Sequence, residues 1–240
     1  MVKDSKYFIL FPLYLLILVS SCSRDDVAVL PEANLSDYEI DILDYFQEIA
    51  LGFEFGNASN ITRKWSTEMR VFMGGDPSGE LLAEFEKIRT EINGLATDGF
   101  RMTVVNDSLQ ANYYIFFGSG TKYAEMFPNE SNLVDSNFGL FNIFWNGQNQ
   151  LNMGHMYVDI FRTDLTAQKH LLREELTQSL GLAKDSPKYP ESIFQSAWTT
   201  TTEYASIDKD LIRLLYHPNL REGLNESQVD EVLRKILESE

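Results

Sequence analysis

The stretch HLLREELTQSLGL, residues 170–182, brings His170, Glu174, Glu175 and Gln178 within a few helical turns of one another. Glu174 and Gln178 are four apart and share one helix face, and His170 lies one turn before Glu174. An HxxxE pair of this kind either holds a cation or forms an ordinary hydrogen-bonded pair. Glu174 and Glu175 can divide acid and base roles without a metal, but neighbouring helix positions point about 100° apart, so the helix must then floor the cleft. A plainer alternative has Glu174 and Gln178 hydrogen-bonding each other, Arg173 or a covering loop. Ser179 and the threonine run at 199–202 have no histidine at a recognisable spacing, so nucleophilic catalysis has no motif behind it. No sugar-binding aromatic pattern lies beside the carboxylates to favour glycoside hydrolysis. His155 falls in a predicted strand and His217 just before Pro218, both away from this cluster.

The helix that carries these residues is expected to start at Thr163 or Asp164, either of which can cap it, and to end at Gly181 in a left-handed conformation. Leu165, Leu172, Leu176 and Leu180 are spaced as one apolar stripe for the sheet. Leu171 lies near Glu174 and Gln178, so that second face calls for a cover from the C-terminal third of the chain, with a cleft between the two parts.

Upstream, apolar Tyr38, Ile42, Tyr45, Phe46, Ile49 and Phe53 predict a helix capped by Ser36. A strand at MRVFM closes on a double glycine, and Leu81, Leu82, Phe85, Ile88, Ile92 and Leu95 mark a second helix behind Pro77 and Ser78. Strands follow at 101–105, 111–119, 138–146 and 150–160, the last two joined by a turn near GQN. Two C-terminal helices are expected, one capped by Ser206 with Ile207, Leu211, Leu214 and Leu215 inward, the other capped by Asn225 or Ser227 with Val229, Val232, Leu233 and Ile236 inward. This order predicts an α+β fold, a mixed β-sheet with a long helix and a site-bearing helix, plus a small helical C-terminal lobe.

Acidic residues outnumber basic ones by 36 to 20 over 240 positions, which opposes binding to nucleic acid. Lys3 and Lys6 precede the apolar run at 7–19, too short to span a bilayer comfortably and flanked as a secretory signal. VSSC then resembles a bacterial lipobox, which implies cleavage after residue 21 and a lipid on Cys22. Because Cys22 is the one cysteine in the chain, no intrachain disulfide can form. The segment 22–35 reads as a tether, and CSRDD resembles the acidic export signal of Bacteroidetes-type surface lipoproteins. The expected partner is therefore a bacterial membrane reached through Cys22 from the extracytoplasmic side, with the outer membrane and cell surface as the location CSRDD suggests, and with the globular domain at 36–240.

The site helix resembles the zincin metallopeptidase pattern HExxHxxGL, with Glu174 and Gln178 standing where zinc histidines would be. REELTQSLGL, then DS, YPESIF and IDKDLIRLLYHPNLREGL, also resembles an uncharacterised family of bacterial secreted proteins and lipoproteins placed beside the zincins, in which Glu-Glu-x-x-Gln is common. The resemblance runs from about Trp65 to the C-terminus. It implies a zincin-like N-terminal lobe at about 65–182 and a helical part at about 183–240. It puts Glu175 at the general-base position. Without zinc that glutamate has no acidified water to act on.

In the same comparison the third ligand position holds Lys184, with Asp185 one residue on. Glu174, Gln178 and Asp185 would make an oxygen-only set that suits a hard cation better than zinc. No cofactor is expected, with a metal at these three residues as the alternative. The expected function is a binding or scaffolding pseudo-peptidase that takes a peptide or envelope protein along the old substrate cleft, where strand 138–146 can accept an added strand. A hydrolase centred on Glu175 is the alternative.

Overall fold

The computed structural model describes residues 35–54 and 57–240. The expected signal, Cys22 and the tether as far as residue 34 lie outside the described residues. In helix α1 (Asp37–Ala50), Ser36 and Glu39 form a capping box, the serine hydroxyl accepting from the Glu39 N–H and the carboxylate from the Ser36 N–H. Ile42, Tyr45, Phe46 and Ile49 are buried as their spacing requires. Tyr38, expected on that face, is exposed instead and donates its hydroxyl to Asp210, a partner it could not reach from the core.

The chain then builds strands β1 (Lys64–Trp65) and β2 (Met69–Gly75), helix α2 (Gly79–Leu95), β3 (Met102–Val104) and β4 (Tyr113–Gly118). A short helix α3 (Gly120–Met126) precedes the hairpin β5 (Gly139–Trp145) and β6 (Gln150–Asp159), and the site helix α4 (Leu165–Gln178) follows. Helices α5 (Ser206–Leu215) and α6 (Glu226–Leu237) complete the order. The strands form one sheet in the order β1-β6-β4-β2-β3, with β5 on the other side of β6. The pairs in that order are parallel, and β5 runs antiparallel to β6. The fold is therefore mixed α/β with a largely parallel sheet. Residues 154–159 of β6 form an unbroken buried run, as expected of a strand covered on both faces.

One hydrophobic core joins α1, α2, the sheet, α4, α5 and α6, with Trp65, Phe85, Phe117 and Tyr216 at 2% exposure or less. A second, smaller cluster of Tyr123, Val134, Leu140 and Tyr157 packs α3 and its following loop on the β5–β6 hairpin. Helix α3 was not foreseen; its sequence GTKYAEM buries little besides Tyr123, so no apolar stripe marks it.

Two expected core contacts and one helix cap are corrected. Leu165 is 38% exposed because it occupies the first turn of α4, while Leu172, Leu176 and Leu180 are fully buried. Leu82 is also exposed, since Leu81, Phe85, Ile88 and Ile92 already fill the buried face of α2. Ala205, not Ser206, caps α5. The buried Asp208 carboxylate does the capping, accepting from the Ala205 N–H at 2.9 Å, the Ile193 N–H at 3.0 Å and the Ser192 hydroxyl at 2.6 Å.

Candidate functional site

Helix α4 is fixed on every side except the one that bears the candidate residues. Asp164 caps it through the Ala167 N–H at 2.9 Å. Leu172, Leu176 and Leu180 pack into the main core. Arg173, fully buried, reaches the opposite way to Glu84 (2.7 Å) and Glu91 (2.5 Å) of α2 and lies 4.4 Å from the Tyr204 ring centroid. Past its C-terminal end, the Ser179 carbonyl accepts from the Trp65 indole at 2.9 Å and the Leu180 carbonyl from the Tyr216 hydroxyl at 3.1 Å. Gly181 has φ +115°, and a Cβ there would meet the Arg63 carbonyl oxygen at 1.9 Å, so only glycine fits this turn.

The remaining face of α4 looks into a cavity of about 460 Å³. Strand β5 and residue 138 form one wall, the segment 195–198 another, and His170, Leu171, Glu174, Glu175 and Gln178 line it from α4. Asp185, Glu54 and Glu130 add three more carboxylates. Leu171 is 4% exposed and packs against β5, where a Cβ at Gly139 would lie 3.0 Å from its Cδ2, while the loop between α4 and α5 lines the same cavity.

Within the cavity, Glu174 and Gln178 do not bond each other or Arg173. Glu174 faces His170, with Nε2 3.3 Å from the carboxylate, and the other imidazole nitrogen, Nδ1, lies 2.7 Å from the Thr201 carbonyl. That carbonyl can only accept, so Nδ1 carries a proton. Gln178 donates from its amide nitrogen to Asp185. Glu175 is 91% buried and has no hydrogen-bond partner among the described residues. It sits against Gly139 of β5, where a Cβ would lie 2.7 Å from its Oε1.

Proton affinities follow from this crowding. Burial first, then Glu174, Asp185 and Glu54, push Glu175 well above the usual carboxylate range. Burial, followed by Glu174 and Glu54, lifts Asp185 to about 7, against a smaller downward pull from Gln178 and His170. Glu54 is raised by burial and by Glu174. For His170 desolvation opposes the charge, but Glu174, the Thr201 carbonyl and Asp185 outweigh it and raise the imidazole. The resulting site sets Glu175, whose carboxyl holds its proton more tightly than usual, beside the His170–Glu174 pair. It can donate protons and accept a cation.

The zinc implied by the metallopeptidase pattern does not fit these contacts. Gln178 presents its amide nitrogen to Asp185, and His170 is held between Thr201 and Glu174. Among the described residues no group of three His, Cys, Asp or Glu side chains is arranged to hold a metal. Lys184 points elsewhere, to the Leu51 carbonyl at 3.5 Å. His155 belongs to the smaller hydrophobic cluster's surroundings, stacked on Phe127 and 2.7 Å from the Tyr123 hydroxyl, and burial lowers it to about 4. Ser179 is spent within the helix, donating to the Leu176 carbonyl.

The outer edge of β5 is the cavity's other feature. The Phe138 carbonyl accepts from the Asp159 N–H, so by strand alternation the backbone groups of Gly139, Phe141 and Ile143 face away from β6. Among the described residues no strand pairs with that edge. Two aromatic groups border it. Phe138 meets the exposed Trp198 edge to face, and Phe53 stacks on Trp145 with the Arg63 guanidinium 4.3 Å from the indole.

The family model described as protein of unknown function (DUF2927) matches residues 39–235. The chain belongs to that family. No curated protein matches it. Among solved structures, "Structure of myroilysin" is similar with 11% identity over 65% of this chain and 97% of that one, at a TM-score of 0.38, too low to assign a fold.

Several lining residues of this family member carry no local signal. Glu54, Glu130, Gly139 and Trp198 come from four separate segments and meet only through the tertiary fold. The one available clue was Leu171, an apolar residue on a polar face.

Proposed function

We propose that the protein is a cell-envelope lipoprotein, anchored through Cys22 to a bacterial membrane on its extracytoplasmic side, whose domain binds an extended peptide as an added strand on β5. The observation that carries this reading is the backbone edge at Gly139, Phe141 and Ile143, unpaired among the described residues and lying along a cavity floored by α4. Such an edge supplies main-chain hydrogen bonds, and pockets beside it select alternate side chains. In this reading the site is a degenerate zincin-like one that works without a resident metal. The Glu-Glu-x-x-Gln helix, its Gly181 turn and the antiparallel strand beside it support that descent. Nucleic acid is not a partner, given the acidic balance of the chain.

The test uses a capped heptapeptide of alternating threonine and valine with a central lysine. Calorimetry should detect binding, and N-methylation of alternate peptide nitrogens should abolish it in one register only. Equal binding of both methylated registers would remove strand addition as the mode.

Glu175 favours one second reading. A carboxyl facing a cleft with its proton affinity raised by burial can act as general acid, so a hydrolase centred on Glu175 is the competing activity. Glu175→Gln keeps the shape and removes the acid. Loss of fluorescent casein cleavage in that variant, with the fold intact, would establish the hydrolase, whereas no cleavage by either form supports binding alone.

A further inference from the structure

Resting on the peptide-binding reading, we propose that the cleft selects a peptide bearing a lysine or arginine, whose cationic end enters the cavity beside Glu174, Glu175 and Asp185. Five carboxylates line this cavity, those of Glu54, Glu130, Glu174, Glu175 and Asp185, and no lysine or arginine does so among the described residues. Among the described residues His170 is the one lining group able to carry positive charge, and it is already committed to Glu174 and the Thr201 carbonyl. Glu130 is committed too, accepting from the Asn142 amide at 2.5 Å.

Glu175 is the independent sign of a missing partner. It is 91% buried, lines the cavity and has no hydrogen-bond partner among the described residues. Buried carboxyl groups are ordinarily satisfied, so an orphan aimed into a cavity marks where a ligand donor belongs. Mutual repulsion among Glu54, Glu174 and Asp185 adds to the same deficit of positive charge. A cationic side chain relieves it and gives Glu175 a donor.

The route in is also suited to such a side chain. Trp198, 59% exposed, stands at the mouth between Phe138 and His170. Its indole can lie along the aliphatic stem of a lysine or the plane of a guanidinium. Strand addition on β5 sends alternate peptide side chains toward α4, which places one of them over the carboxylates.

The full chain, purified in mild detergent, is titrated with the lysine heptapeptide and with the same peptide carrying norleucine, which keeps the stem and removes the charge. The lysine peptide should bind about tenfold tighter or more. Glu174→Gln and Asp185→Asn should weaken lysine-peptide binding more than norleucine-peptide binding and so shrink that ratio toward one. Equal affinity of the two peptides overturns the charge selection and leaves peptide binding standing. No binding of either peptide overturns both. Calcium chloride alone is the third arm: thermal stabilisation by calcium without discrimination between the peptides assigns the carboxylates to an inorganic cation and also overturns the proposal.

Discussion

Gly139 of β5 leaves the space that Glu175 of α4 occupies: a Cβ at residue 139 would lie 2.7 Å from the Glu175 Oε1 and 3.0 Å from the Leu171 Cδ2. The edge strand and the site helix therefore touch at the buried carboxyl itself. The width of the cleft at that point depends on one missing methyl group.

Gly139→Ala should accordingly destabilise the protein by about 1–3 kcal/mol, the range for an overpacked core. Because the clash is with Glu175, the double variant Gly139→Ala, Glu175→Ala should lose less than the sum of the singles, with a coupling of at least about 0.5 kcal/mol. Urea unfolding of the four proteins measures it, and strict additivity would contradict the contact.

Arg173 anchors α4 to α2, and its side chain has no exposed surface. Arg173→Met leaves Glu84 buried without its cation, at a cost of about 3–5 kcal/mol. Adding Glu84→Gln should recover part of that loss in the same denaturation experiment. A neutral Arg173→Met variant would mean that the ion pairs do not hold the helix.

Stability should rise as pH falls from about 8 to about 6.5. Asp185 has its folded value raised to about 7 from 3.8, so the folded state keeps a proton that the unfolded chain gives up, and stability is lost as pH rises toward and through 7. His170, also raised, contributes stability below the ordinary histidine value that is lost as pH climbs through its folded value. His155 has the opposite sign, since its folded value near 4 makes the folded state less stable as pH drops below 6.5. Asp185→Asn should therefore flatten the melting-temperature rise between pH 8 and 6.5. An unchanged slope would show that Asp185 is not the group responsible.

Metal analysis should give well below one ion per chain for protein purified without a histidine tag and never exposed to chelator. Gln178 turns its amide nitrogen, which cannot bind a metal, toward Asp185, and Lys184 reaches the Leu51 carbonyl instead of the site. One zinc per chain would contradict this and would require the Gln178 amide to turn over.

Much of the positioning framework was legible in the sequence because it rests on local periodicity. Ser36, Ser78, Asp164 and Asn225 cap the helices expected of them, and Gly181 takes its left-handed turn. What the sequence concealed is long-range. Helix α3 lacks an apolar stripe, and the Ala205 cap depends on Asp208, a side chain whose other partners lie on the 192–193 segment. At the site, periodicity grouped Glu174 with Gln178 but could not show that each takes a different partner. Neither the pairing of Gln178 with Asp185 nor the gathering of Glu54 and Trp198 around α4 follows from spacing along the chain.

Amide hydrogen exchange on β5 tests the central claim most directly. In the free protein, Leu140 and Asn142, which face β6, should be protected, while Gly139, Phe141 and Ile143 exchange faster. Adding the lysine heptapeptide should slow one or more of those three outward amides by about tenfold or more while leaving Leu140 and Asn142 unchanged. Saturated peptide binding with no added protection at Gly139, Phe141 or Ile143 would contradict strand addition on this edge.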